Sequence, residues 1–247
     1  MADQYPVLKG AEPYFAEGGE EGVLISHGFT GSTQSMRPLA EALAEAGYTV
    51  CLPRLKGHGT HYEDMERTSR HDWIESVEEG YRWLKERCDT IYMAGLSMGG
   101  TLTLYMAQHH PDIRAIALIN AAIDMPALKE VGEPEDVRFL DAIGSDIKKA
   151  GVIELAYEKT PVRSVKEILA LMDEVRADLE KVKCPALTLV SDEDHVVPPG
   201  NSGIIHDGVS SSEKEILQLK ESYHVATLDN DQDRIHESVL RFFRKNS

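Results

Sequence analysis

Short apolar runs alternate along the chain with segments whose apolar residues recur every three or four positions. Gly22-Val23-Leu24-Ile25 is a compact apolar run that ends at His27-Gly28-Phe29-Thr30-Gly31. From Gln34 to Ala46, the residues Met36, Leu39, Leu43 and Ala46 fall at helical spacing, and Gly47 closes that helix. Thr49 to Pro53 predicts the next strand, and Trp73, Val77, Tyr81 and Leu84 mark a helix near His71 to Cys88. Thr90 to Ala94 predicts a strand, Gly99 to His109 a helix, and Ala115 to Ile119 another strand. Alternation of this kind predicts a mostly parallel sheet covered on both faces, an α/β architecture.

The rhythm breaks between Asp124 and Val182. That stretch carries helical patterns, such as Val165 to Leu179, but no obvious buried strand. It reads as an insertion packed over the sheet. The rhythm resumes at Ala186 to Val190, continues through the strand-like Ile216 to Leu219, and finishes with a helix from Gln232 to Phe243. With 247 residues, the expectation is one domain spanning 1–247, with an insertion at about 125–180.

Charge narrows the choice of partner. Lys plus Arg is 26 and Asp plus Glu is 42, for a formal net charge of −16. Such a chain repels phosphate backbones and anionic membrane surfaces, which argues against nucleic acid and favours a neutral small-molecule substrate. The three cysteines are odd in number and widely spaced, without a C-x-x-C, so neither a disulfide framework nor a zinc site is expected. No run is long and apolar enough to span a bilayer, and the N-terminus lacks the pattern of a signal peptide. The default expectation is a cytoplasmic protein.

Gly95-Leu96-Ser97-Met98-Gly99 matches G-x-S-x-G. The pattern alone is weak, because glycine and serine are common. Here a predicted strand precedes it and a predicted helix follows, the setting of a nucleophile elbow, in which a sharp turn presents the serine hydroxyl at a helix N-terminus. A serine near neutral pH needs an adjacent base. Of ten histidines, His109, His110 and His71 read as surface residues, His58 as a turn residue, and His236 falls on the terminal helix. His195 follows an acidic candidate directly and should point away from it. His224 follows a late strand, at the same sheet edge as Ser97.

The acid should come from the loop Ser191-Asp192-Glu193-Asp194. Asp192 and Asp194 both qualify; Asp194 is favoured because it lies deeper, just before Val196-Val197-Pro198. Its role would be to accept from the imidazole Nδ1–H and fix the tautomer. An oxyanion intermediate would need two donors, expected from the backbone N–H groups of Met98 and Phe29. His27 is assigned no chemistry, and bracing of its loop by hydrogen bonds is open to it.

With these residues placed, the sequence resembles bacterial monoacylglycerol lipases and the related small carboxylesterases over nearly its whole length. The resemblance rests on HGFTG at His27, LPRLKGHGTHYEDM from Leu52, GLSMGG at Gly95, SDEDHVVPPGN from Ser191 and SYHVATLD from Ser222. It implies the α/β-hydrolase fold with a small helical cap, a triad of Ser97, Asp194 and His224, an oxyanion hole at Phe29 and Met98, and an apolar acyl tunnel under the cap. It implies a cap residue facing substrate at Ile143 and a reader of glycerol hydroxyls at Glu154. No metal or organic cofactor is implied. The segment Lys129 to Asp136 departs from the family pattern, being shorter and more charged. The rival readings are a broad short-chain carboxylesterase and, more remotely, a ligand receptor on a hydrolase scaffold. Transient contact with lipid aggregates and the oligomeric state stay open.

Overall fold

The computed structural model describes residues 3–131 and 136–247. Of the charged segment 129–136, residues 132–135 lie outside the described residues. In chain order the elements begin with β1 (Tyr14–Ala16), β2 (Glu21–Ser26), α1 (Arg37–Glu45) and β3 (Thr49–Leu52). Then come α2 (Tyr62–Glu66), α3 (Arg70–Lys85), β4 (Thr90–Leu96), α4 (Met98–His109) and β5 (Ile113–Ile119). Next are α5 (Pro126–Val131), β6 (Phe139–Asp141), β7 (Lys159–Pro161) and α6 (Val162–Ala177). The chain ends with β8 (Ala186–Ser191), α7 (Gly200–Gly208), β9 (Lys214–Leu219) and α8 (Gln232–Lys245).

Seven strands form one sheet in the order β1-β3-β2-β4-β5-β8-β9. All neighbours are parallel except β1, which runs antiparallel to β3 at one edge. The near-continuous apolar character of the central strands follows from burial on both faces. Along β4, Ile91 and Met93 pack into the core beneath α3, α4 and α6, whereas Tyr92, Ala94 and Leu96 pack into the opposite core beneath α1 and α8. The two-residue period of a strand sends alternate side chains to opposite layers. Trp73 anchors one layer, and Phe242 and Phe243 anchor the other, all three fully buried. Burying a large side chain of this kind contributes on the order of 1.5–3 kcal/mol.

Helix boundaries follow local chemistry. At the head of α3, the Ser69 backbone N–H donates to Asp72 Oδ2 at 3.0 Å, part of a capping box. The periodic segment from Gln34 starts as a 3-10 turn at Thr33–Ser35, and α1 follows from Arg37 with a proline in its first turn.

Between β5 and β8 the chain leaves the main sheet. It contributes α5, α6 and a two-stranded antiparallel ribbon of β6 and β7, in which Leu140 pairs with Thr160. The ribbon strands are three residues each and half-exposed, so no apolar alternation announces them. The edge strand β1 is equally short and half-exposed.

Glycine spacing at the end of β4 is a packing requirement. A Cβ on Gly99 would collide with the Ser26 carbonyl, because the first turn of α4 rests directly on the end of β2. Gly203 on α7 faces open space, with no heavy atom within 4 Å of an added Cβ. Gly99→Ala is expected to destabilise the protein by more than about 2 kcal/mol. Gly203→Ala is expected to stay within about 1 kcal/mol of the parent, on the stabilising side. Urea unfolding of both variants checks this; equal effects would contradict the close approach.

Candidate active site

The carboxyl ends of β2, β4, β8 and β9 lie along one rim, because these strands are parallel. Ligand sites in open α/β sheets form at this edge. Ser97 sits between β4 and α4 with φ 57° and ψ −121°, a left-handed backbone conformation for a residue that bears a Cβ. Such a conformation costs on the order of 1–3 kcal/mol and persists only where the surroundings enforce it. The Ser97 N–H donates to the Ile119 carbonyl at 2.9 Å, and the Ser97 carbonyl accepts from Gly100 at 2.9 Å and Thr101 at 3.2 Å. These bonds hold the turn from both sides.

Beyond β8, Asp194 is enclosed, with its side chain 2% exposed. Its Oδ1 accepts from the N–H groups of Val196 and Val197, both at 2.8 Å. Its Oδ2 lies 2.8 Å from His224 Nδ1. A carboxylate only accepts, so Nδ1 carries the proton and Nε2 keeps its lone pair. Asp192 is exposed, and its backbone N–H pairs with the Leu219 carbonyl. Its side chain has no part in the arrangement.

His224 follows β9 in a loop and is buried. Ser97 and His224 line one cavity of about 130 Å³. No hydrogen bond joins the two side chains among the described residues. Catalytic contacts of this type are commonly long before substrate binds.

Gly28 lets the loop after β2 approach the elbow closely: a Cβ there would stand 3.3 Å from Ser97 Cβ. The N–H groups of Phe29 and Met98 donate to no protein group among the described residues. Two free donors thus flank the serine, Met98 at the N-terminus of α4, where the helix dipole favours negative charge.

The loop holding Phe29 is braced from behind. His27 Nδ1 donates to the Gly28 carbonyl at 3.1 Å, and His27 Nε2 accepts from the Leu55 N–H at 3.1 Å. Its ring stands edge-on to His58, 5.3 Å between centroids, and His58 in turn packs edge-on against Trp73. Burial pushes His27 down to about 4 and holds His58 well below the usual histidine range, the latter also disfavoured by neighbouring His27. Both are neutral near pH 7.

Both cap residues implied by the family resemblance line the cavity. Ile143 stands at its rim, 77% exposed. Glu154 also lines it, beside Gly31, where a Cβ would lie 2.8 Å from the Glu154 carboxylate. Burial raises the Glu154 pKa, opposed in part by neighbouring His224 and the Ser35 hydroxyl. Apolar lining comes from Met125 and Leu128 around α5, Ile168 on α6, and Val196.

The other histidines have separate roles. His195 turns away from the triad candidates and pairs with Asp146 at 2.8 Å. His61 accepts from the Glu63 N–H at the start of α2. His110 is only half-exposed and lies 2.8 Å from a Glu78 oxygen, rather than facing solvent freely.

Asn120 was not among the residues singled out from the sequence. It lies just past β5 with φ 44°, and its Nδ2 donates to the His224 carbonyl at 2.8 Å and to Ser191 Oγ at 3.0 Å. Its Oδ1 accepts from the Ser191 N–H at 2.8 Å. One buried amide therefore joins the ends of β5 and β8 to the His224 loop. The only sequence signal is a polar residue closing an apolar strand.

A family profile described as the alpha/beta hydrolase fold matches residues 22–152, and one described as serine aminopeptidase, S33, matches residues 146–231. A thermostable monoacylglycerol lipase of Bacillus sp. (strain H-257) is 64% identical over the full length of both chains. A carboxylesterase of Bacillus subtilis (strain 168) is 30% identical, covering 95% of this chain and 96% of its own. Among solved structures, one from work on the metagenome-derived lipolytic enzymes LipS and LipT superposes with a TM-score of 0.94 at 50% identity, covering 97% of this chain and 100% of its own. The monoacylglycerol lipase of Paleococcus ferrophilus shares the fold, with a TM-score of 0.76 at 18% identity, covering 96% and 100%.

Neutral, buried His27 couples this region to pH. Its folded pKa lies below the unfolded value of 6.5, so the unfolded chain binds more protons between about pH 6.5 and about pH 4. Stability is therefore expected to fall as pH falls through that window, by up to about 1.4 kcal/mol per pH unit for this one group. Urea unfolding at about pH 7 and about pH 5 measures the slope. His27→Gln should flatten it, and an unchanged slope would remove His27 as a cause.

Proposed function

Because the chain belongs to the α/β-hydrolase family, in the branch of monoacylglycerol lipases and small carboxylesterases, we propose that it cleaves monoacylglycerols to a fatty acid and glycerol, with Ser97 as nucleophile. It is a carboxylic ester hydrolase acting on a small-molecule ester. The observation that carries the proposal is the short Asp194–His224 contact at the wall of a cavity shared with Ser97.

In this mechanism His224 Nε2 takes the Ser97 proton as Oγ attacks the ester carbonyl. Asp194, already on Nδ1–H, stabilises the imidazolium that forms. The tetrahedral oxygen takes hydrogen bonds from the Phe29 and Met98 amides, each contributing on the order of 3 kcal/mol in comparable sites. The imidazolium then gives its proton to the departing glycerol oxygen, leaving an acyl-enzyme. Water attacks that ester, its proton passing to His224 and then to Ser97 as the fatty acid leaves.

The described residues of the segment 125–180 form the cap in this reading. Met125, Leu128 and Ile168 supply apolar wall for the acyl chain, and Glu154 faces the leaving glycerol. The exposed Ile143 gives transient contact with lipid aggregates an apolar point at the rim. No described helix is long and apolar enough to cross a membrane. A broad carboxylesterase is the second reading, favoured by the Bacillus subtilis relative.

Monoacylglycerols are expected to give a higher kcat/KM than short alkyl esters and far higher than triacylglycerols. Parity with alkyl esters would favour the second reading, and a preference for triacylglycerols would refute the substrate assignment. Ser97→Ala should abolish turnover of a p-nitrophenyl ester, and rapid wild-type turnover would dispose of a receptor reading. Asp194→Asn should lower kcat by about 10⁴-fold, with Asp192→Asn within about twofold of the parent. Equal losses would undo the choice of acid.

A further inference from the structure

β9 ends five residues before His224, at Leu219, and from the sheet side the loop is held by its carbonyls, through Asn120 and Ser191. Its N–H groups are met from the long connection between β6 and β7. There the carboxylate of Asp146 places one oxygen, Oδ2, 3.1 Å from the backbone N–H of His224 and 3.1 Å from that of His195. His195 directly follows Asp194 in the chain. The backbone carbonyl of Asp146 accepts from the Val225 N–H at 3.1 Å. Two and three residues beyond Asp146, Lys148 and Lys149 donate their backbone N–H groups to Asp229, which also accepts from the Tyr223 N–H.

We infer that Asp146 is a positioning residue: a single carboxylate oxygen accepts main-chain hydrogen bonds from both the acid loop and the base loop, and so sets His224 against Asp194. This rests on the triad reading above. The Asp194–His224 contact fixes only one end of the imidazole. Where Nε2 points depends on the backbone that carries the ring. Asn120 holds that backbone by its carbonyl, and Asp146 holds it by its N–H. Losing either support lets Nε2 drift from Ser97, and a misplacement of about 1 Å can lower turnover by about 10²-fold. The Asp146 side chain is 11% exposed, so solvent replaces its contacts poorly.

Asp146 also pairs with the exposed imidazole of His195, at 2.8 Å, so a simple ion-pair role has to be separated from positioning. Two substitutions do that in opposite directions. Asp146→Asn keeps the acceptor oxygen where it is and removes the charge. Asp146→Glu keeps the charge and its attraction to His195, but moves the oxygens away from the two amides. On p-nitrophenyl butyrate, Asp146→Glu is expected to lower kcat by about 10- to 100-fold with KM within about twofold. Asp146→Asn should keep at least about a third of the parent kcat. His195→Ala should stay within about twofold, with thermal midpoints confirming that all three fold.

The downfield Nδ1–H proton resonance of His224 gives a second measurement that needs no turnover. It is identified by its loss in His224→Gln. It should shift or broaden in Asp146→Glu and persist in Asp146→Asn. If Asp146→Glu keeps full kcat, or Asp146→Asn loses as much as Asp146→Glu, the positioning role is overturned. If the wild-type protein turns over no ester, the hydrolase reading fails by itself. The resonance then still decides for or against Asp146, and no change in Asp146→Glu would rule it out.

Discussion

A serine held at φ 57° between a strand and a helix is the constraint on which the site depends. The conformation is unfavourable in isolation, so neighbours must enforce it. The Ile119 carbonyl fixes the serine N–H, and the start of α4 lies against the end of β2. The same close fit brings Gly28, the residue before Phe29, alongside Ser97. The proposed nucleophile and oxyanion donors are therefore products of one packing arrangement, in which the first helical turn stands against the end of β2 with no space for a Cβ between them.

The remaining two members reach the rim by a different physical route. Asp194 and His224 lie on loops, whose positions no apolar layer dictates. Hydrogen bonds to main-chain N–H and C=O groups dictate them instead: Val196 and Val197 onto Asp194, Asn120 onto the His224 carbonyl, Asp146 onto the His224 N–H. Sheet packing thus sets Ser97, and buried polar networks set the proposed acid and base. Networks of this kind are stiff when every member is satisfied and costly when one is removed.

That division explains what could be read from the sequence. Sheet strands such as Gly22–Ile25, Ala115–Ile119 and Ala186–Val190 announce themselves, because burial on both faces requires continuous apolar runs. The glycine spacing around Ser97 shows as well, since close approach leaves no alternative residue. His224 and Asp194 could be placed from their position after late strands. The edge strand at Tyr14–Ala16 and the ribbon at Phe139–Asp141 and Lys159–Pro161 could not, because three half-exposed residues carry no periodic signal. Asn120, Asp146 and Asp229 were illegible for a deeper reason. Each acts by donating to or accepting from a backbone group dozens of residues away. Side-chain type at the partner is irrelevant to such a bond, so no local pattern records it.

The acidic balance of the chain, −16 overall, takes on a specific meaning around the cavity. Asp146, Asp194 and Asp229 all lie in or behind its wall, and each receives main-chain N–H groups: two, two and four respectively. Amide groups converging on a carboxylate fix its orientation. Glu154 differs, because no main-chain amide donates to its carboxylate among the described residues, and burial raises its pKa. A carboxyl group without fixed amide partners keeps its hydrogen-bonding capacity for whatever enters the cavity. Three of these acids therefore serve the architecture of the loops. In the proposed reading the fourth is left to meet the ligand, in the same cavity as His224.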